Sequence, residues 1–188
     1  LPIFFDQKLF VFDVFVNTVI GAFAFAFTSS AVYILNDYFD REKDRQHPTK
    51  KFRPIASGAI APKTAFFIAA LCLLFGFGAV FYLQSISLGV VLAIYLALNI
   101  LYNLGLKQVS LLDIFILAFG YVLRVYAGGF AANIAPSEWL ILMSLLLAMF
   151  LALAKRRDDV LLFEESGQKA RKAIDGYNQS FFNTALSM

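Results

Sequence analysis

VFVNTVIGAFAFAFTSSAVYILN, residues 14–36, runs without a charge into DYFDREKD, residues 37–44. An uncharged run of that length is what a helix needs to cross a hydrocarbon core. Four further runs lack charge: Thr64–Ile86, Ser87–Leu106, Val125–Ser137 and Trp139–Ala154. The chain is 60% hydrophobic and only 15% charged. That is too apolar for an ordinary soluble domain, in which about a quarter of residues carry charge. The fold expected is all-α, a polytopic transmembrane helix bundle. Its spans fall at about 12–36, 64–84, 87–104, 110–132 and 138–155, with polar loops at 37–63 and 156–179.

The first block is no secretion signal, because it lacks a basic leader and a small-residue cleavage site. The chain begins at Leu1 rather than Met and ends inside the apolar stretch Ser180–Met188, so a piece of a longer protein is expected. The single Cys72 lies mid-span and excludes a disulfide within the chain; packing is its expected role.

Charge placement orients the bundle. Of 16 Lys and Arg, 14 fall in Arg41–Lys63, at Lys107 or in Lys155–Lys172. Alternating spans put these regions on one membrane face, while the opposite loops Gln84–Ser87 and Asn133–Ser137 hold no basic residue. The positive-inside rule makes the charged face cytoplasmic. Basic residues so placed mark topology, and nucleic acid is not among the expected partners. They leave unexplained the acids mixed among them.

Those acids carry the chemistry. At about 100° per residue, Asn36, Asp37, Asp40 and Asp44 fall at about 0°, 100°, 40° and 80° round one helix. Four oxygen-bearing side chains thus share a quadrant at the C-terminal end of a span, where the helix dipole is already negative. A bound cation would relieve the repulsion. Oxygen donors, few in number and ready to share the ion with water and phosphate, suit Mg²⁺. Such an ion would bridge diphosphate oxygens, and the next loop offers Lys50, Lys51 and Arg53 for the remaining negative charge. The plain alternative is a solvated helix end marking the membrane boundary. An Asn and three Asp on one arc, followed by a basic Pro/Gly loop, speak against it.

At these residues the chain resembles the UbiA-like superfamily of membrane prenyltransferases. The pattern Asn-Asp-x-x-Asp-x-x-x-Asp is met by Asn36, Asp37, Asp40 and Asp44, and Arg-Pro-x-x-x-Gly by Arg53 through Gly58. A third match is Tyr102-x-x-x-x-Lys107. The resemblance implies one UbiA-like domain over 1–188 with a central cytoplasm-facing cavity, Mg²⁺ as cofactor, and Asp37 and Asp40 as catalytic acids. It also implies a diphosphate donor and a lipid or aromatic acceptor.

The chain departs from that pattern at the end of the fifth span. Most members carry a second Asp-rich motif there, whereas this chain reads Leu153-Ala-Lys-Arg-Arg-Asp-Asp-Val160. Lys155 and Asp159 share a helix face. Lys and Arg bind phosphate directly where Asp would need a metal, so the variant suits two phosphorylated substrates. It resembles the polyprenyl-phosphate (decaprenyl-phosphate) phosphoribosyltransferase branch. The similarity lies in His47-Pro48-Thr49-Lys50, Leu123 through Gly129, Phe150 through Arg157 and Glu165 through Arg171. The branch implies phosphoribosyl diphosphate as donor, a membrane polyprenyl phosphate as acceptor, a bacterial inner-membrane location and a part in cell-wall biosynthesis. It leaves a homo-oligomer open.

Arg124 adds an independent sign, because a guanidinium inside a span costs at least about 2.5 kcal/mol unless paired or solvated. Asp113 precedes it by eleven residues, about 20° away round the helix. Lining of the cavity, or pairing with an acid on another helix, are the two readings. The substrate contacts expected are thus Lys50, Lys51, Arg53, Tyr102, Lys107, Arg124, Lys155, Arg156 and Asp159, with Asn103 as a neighbour of either kind. Two other functions compete: prenyl transfer from a prenyl diphosphate to an aromatic or lipid acceptor, and a transporter without chemistry. The first wants Asp-rich clusters at both repeats. The second wants ionisable groups at the midplane of several spans.

Overall fold

In the computed structural model of the chain, residues 2–8 and 10–166 are described, the side chains at 159 and 162–166 excepted. The tail motif from 167 onward and the stretch 180–188 lie outside the described residues. Six α-helices follow one another: α1 (Pro2–Phe5), α2 (Phe12–Arg45), α3 (Pro62–Leu83), α4 (Ile86–Leu104), α5 (Leu112–Ala132) and α6 (Glu138–Ser166). No strand occurs among the described residues. Five helices, α2 to α6, are long and apolar enough to cross a membrane. Large apolar side chains such as Phe67, Leu74 and Phe81 on α3, and Leu146, Leu147 and Leu151 on α6, are exposed. Lipid is the solvent that tolerates them, and the protein is an integral membrane protein.

Local chemistry sets the helix starts. Pro62 opens α3, where its missing N–H is no loss. Ser85 Oγ accepts from Leu88 N at 3.3 Å ahead of α4, and Ser137 Oγ accepts from Leu140 N at 3.2 Å ahead of α6. Both are side-chain N-caps. At the other end of α3, Gln84 takes a left-handed conformation with φ 49°, and the chain reverses there.

The chain divides into two compact units: Leu1–Ile100 with Tyr126–Ala135, and Leu101–Val125 with Pro136–Met188. In the first, α2 is the central element. Its small and hydroxylic residues let neighbours approach closely, as membrane helices require. Against α3, a Cβ at Gly76 would lie 2.6 Å from Thr28 Oγ1 and 3.1 Å from the Ala24 carbonyl. Phe27 meets Phe75 at 5.6 Å between ring centroids, and Tyr38 meets Phe66 edge-on at 4.5 Å. Against α4, Ser29 Oγ and Tyr95 Oη share a buried hydrogen bond of 3.1 Å beside the Phe25–Tyr95 ring contact. Near its start, α2 meets the end of α5 so tightly that a Cβ on Gly21 would fall 2.2 Å from the Ala131 Cβ. Gly21→Ala is therefore expected to cost about 1–3 kcal/mol through overpacking. A lowered unfolding midpoint in detergent measures it, and an unchanged midpoint contradicts this packing.

In the second unit, Ile114 on α5 packs with Ala152, Leu153 and Val160 on α6. The same two helices are joined by a buried ion pair, Arg156 with Asp113.

Candidate functional site

The helix α2 does not stop where its apolar run stops. It continues through Asn36, Asp37, Asp40 and Asp44 to Arg45, so the four residues keep the shared arc that helix geometry gives them. Asn36, Asp37 and Asp40 are partly buried, and Asp44 is buried with 4% exposure. A buried carboxylate needs a partner. Arg53 supplies it: its Nη1 donates to Asp37 Oδ1 and to Asp44 Oδ2, each at 2.9 Å. One guanidinium nitrogen thus joins two acids spaced two helical turns apart.

The Arg-Pro-x-x-x-Gly segment holds that guanidinium in place. Arg53 N donates to the Lys50 carbonyl at the end of a 3-10 turn, Lys50–Phe52. Ser57 N donates back to the Arg53 carbonyl at 2.8 Å, and Ile60 N to the Pro54 carbonyl at 3.0 Å. Gly58 has φ +82°, a left-handed conformation that a side chain would strain. Ile55 and Ala56 are buried, and Arg45 Nε donates to the Ala56 carbonyl at 3.0 Å. Upstream, His47 Nδ1 accepts from the backbone N–H of Thr49 and of Lys50, each at 3.3 Å. The lone histidine is thereby a turn former.

Beside Asp37 lies a cavity of about 260 Å³. Ile34, Pro54, Ile55, Ile60, Ala65 and Ile68 line it with apolar surface, and Tyr33 completes the wall. Lys50 and Lys51 are exposed on the loop, Lys51 Nζ standing 5.2 Å over the Phe52 ring. On the outer flank, Arg41 lies over the Tyr38 ring at 4.1 Å.

The remaining expected residues belong to the second unit. Tyr102, Asn103 and Lys107 are partly buried around the turn Leu106–Gln108. Asn103 Oδ1 is buried without a hydrogen-bond partner among the described residues. Arg124 is exposed, its guanidinium 5.6 Å over the Tyr121 ring. Lys155 and Arg157 are exposed. Arg156, expected on phosphate, is 2% exposed, and its Nε donates to Asp113, itself 0% exposed. That bond holds the side chain against α5. The side chain of Asp159 lies outside the described residues. Two contributions escaped the motif reading: Arg45, which anchors the loop, and Asp113, which holds Arg156. An Arg in the last helical turn and an Asp in the first are weak signals, since dipole compensation places such residues in many helices.

The donor set fits Mg²⁺. Among the described residues no three His, Cys, Asp or Glu side chains form a ready metal cage. Mg²⁺ seldom uses one, taking one or two carboxylates and filling its shell with water and phosphate oxygens. Asp37 and Asp44 converge on a single point, and that is the required provision.

Comparison with known proteins agrees with this architecture. The model described as UbiA prenyltransferase family matches residues 7–161. A decaprenyl-phosphate phosphoribosyltransferase from Corynebacterium glutamicum is 35% identical over 174 residues, covering 92% of this chain and 52% of that protein. The protein so named from Mycolicibacterium smegmatis is 36% identical over 169 residues, 90% of this chain and 53% of that one. The chain thus spans about half the length of the curated relatives it matches. A UbiA homologue from Archaeoglobus fulgidus, solved bound to DMAPP and Mg²⁺, superposes with a TM-score of 0.75 at 18% identity. The superposition covers 91% of this chain and 61% of that one, and it carries the fold.

Proposed function

The chain belongs to the UbiA prenyltransferase family, and on that premise we propose that it is part of a Mg²⁺-dependent enzyme moving 5-phosphoribose from phosphoribosyl diphosphate to a polyprenyl phosphate. The observation that carries the reading is the convergence of Asp37 and Asp44 beside Arg53. The choice of donor is supported by the relatives named decaprenyl-phosphate phosphoribosyltransferase and by Lys155-Arg156-Arg157 where acids are usual.

In the reaction the bond between ribose C1 and the diphosphate oxygen breaks, and the diphosphate leaves with the electron pair. A phosphate oxygen of the lipid forms the new bond to C1. That oxygen is already anionic near neutral pH, so no general base is required. Asn36, Asp37, Asp40 and Asp44 would hold the metal–diphosphate, with Asp37 and Asp40 as the catalytic pair. The bound ion would neutralise charge developing on the leaving group. Lys50, Lys51 and Arg53 take donor phosphates. Lys107, Arg124, Lys155 and Arg156 take donor or acceptor phosphate, with Tyr102 as a further substrate contact. The site faces the cytoplasm of a bacterial inner membrane, and the lipid product serves cell-wall synthesis.

A second reading, prenyl transfer from a prenyl diphosphate, is favoured by one observation, the apolar cavity beside Asp37. Feeding the purified full-length protein each donor with Mg²⁺ separates the two. Ribose label should pass into the lipid phase with stoichiometric diphosphate release. A prenylated acceptor without ribosyl transfer would establish the second reading instead.

A further inference from the structure

We propose that Arg53 is an internal counterion standing where the divalent ion would sit, closing the acids to free metal and moving onto the diphosphate when ion and donor arrive together. The inference rests on the metal–diphosphate reading of the helix end and adds to it a coupling between the two ligands.

The geometry of the bridge is the starting point. Both bonds to the acids come from one terminal nitrogen, Nη1, at 2.9 Å each. A carboxylate clamp built for strength usually takes two parallel N–H groups of the fork. Here Nε and Nη2 make no hydrogen bond among the described residues, and the Arg53 side chain is 37% exposed. The guanidinium thus touches the acids with one nitrogen and keeps its other donors for a further anion. Phosphate is the anion that such a fork suits.

The charges make the arrangement exchangeable. One positive charge bridges Asp37 and Asp44, and Asp44 stands in the last turn of α2, where the helix dipole adds negative potential. Arg53 compensates this cluster in part. A divalent ion compensates it better, but only after Arg53 has left the shared point. Leaving is costly into water and cheap onto diphosphate, which offers charge-assisted bonds in return. Only the side chain has to swing. The backbone at 53 stays tied through the Lys50 carbonyl, Ser57 N and the Arg45–Ala56 bond.

Binding of Mn²⁺, a paramagnetic stand-in for Mg²⁺, tests the idea on the full-length protein in detergent by equilibrium dialysis. Wild type, Arg53→Gln and Arg53→Lys are compared with and without inorganic pyrophosphate. Without pyrophosphate, Arg53→Gln is expected to hold Mn²⁺ about tenfold tighter than wild type. With pyrophosphate that advantage disappears, because the cation that should receive the phosphate is missing. Arg53→Lys keeps a charge but loses the planar fork, and donor-free binding should tighten to an intermediate degree. If wild type retains Mn²⁺ with pyrophosphate while neither variant binds the bare ion tighter, the counterion role is overturned and the metal–diphosphate site stands. If wild type retains no Mn²⁺ even with pyrophosphate, both fall. Should Arg53→Gln fail to fold, the lysine variant alone decides, and unchanged donor-free affinity overturns the proposal.

Discussion

Asp113→Ala in the full-length protein is expected to lower stability by about 3–5 kcal/mol. Asp113 and Arg156 are both almost fully withdrawn from solvent, so removing the carboxylate takes a directly bonded acid away from a buried guanidinium. A membrane protein of ordinary stability, about 5–15 kcal/mol, would lose a large share of it. The loss is not the net worth of the pair, because much of it is the desolvation penalty on the charge that stays buried. For that reason Asp113→Leu combined with Arg156→Met should recover most of the stability, since an apolar pair of similar volume can replace a buried ion pair at little cost. Unfolding midpoints in detergent for the single and double variants measure both effects. Turnover of the double variant adds a second readout. Retained activity marks Arg156 as a structural residue, and lost activity in a stable double variant keeps it among the substrate contacts. A single variant costing under about 1 kcal/mol would show that the pair is solvated.

Asp37→Asn is expected to cut transfer by at least about 100-fold with the fold intact. The substitution keeps size and hydrogen-bonding capacity and removes one negative charge from the point on which Asp37 and Asp44 converge. Asp37 is more open than Asp44, with side-chain exposures of 30% and 5%, so its loss strains the interior less. Transfer rate, Mn²⁺ binding with pyrophosphate and unfolding midpoint are measured on one preparation. A drop in rate and ion binding at a constant midpoint identifies a metal ligand. A variant that turns over normally would remove Asp37 from the reaction.

Much of the fold is legible in the chain because a bilayer imposes so few solutions. Uncharged runs give the helices, and Pro62, Ser85 and Ser137 mark where three of them begin. The end of α2 is less legible. Hydropathy ends near Asn36, but the helix runs on to Arg45. Nothing between them breaks a helix, and Lys43 and Arg45 suit its last turn. The arc of Asn36, Asp37, Asp40 and Asp44 follows from helix geometry alone. Its neutralising partner does not, because Arg53 returns through a loop whose path depends on turns at Lys50–Phe52 and Gly58. Arg156 shows the same limit at longer range. Helix arithmetic sets it about 100° from Lys155, but only packing against α5, 43 residues away in sequence, decides that it turns inward.

The unbroken course of α2 has a mechanical consequence. Its 34 residues make a rod about 51 Å long, against a hydrocarbon slab of about 30 Å. Acids and span are one rigid piece, so the height of the carboxylates above the lipid is set by how the rod leans. A thicker or thinner bilayer changes its tilt and thereby how far the carboxylates stand from the headgroup plane.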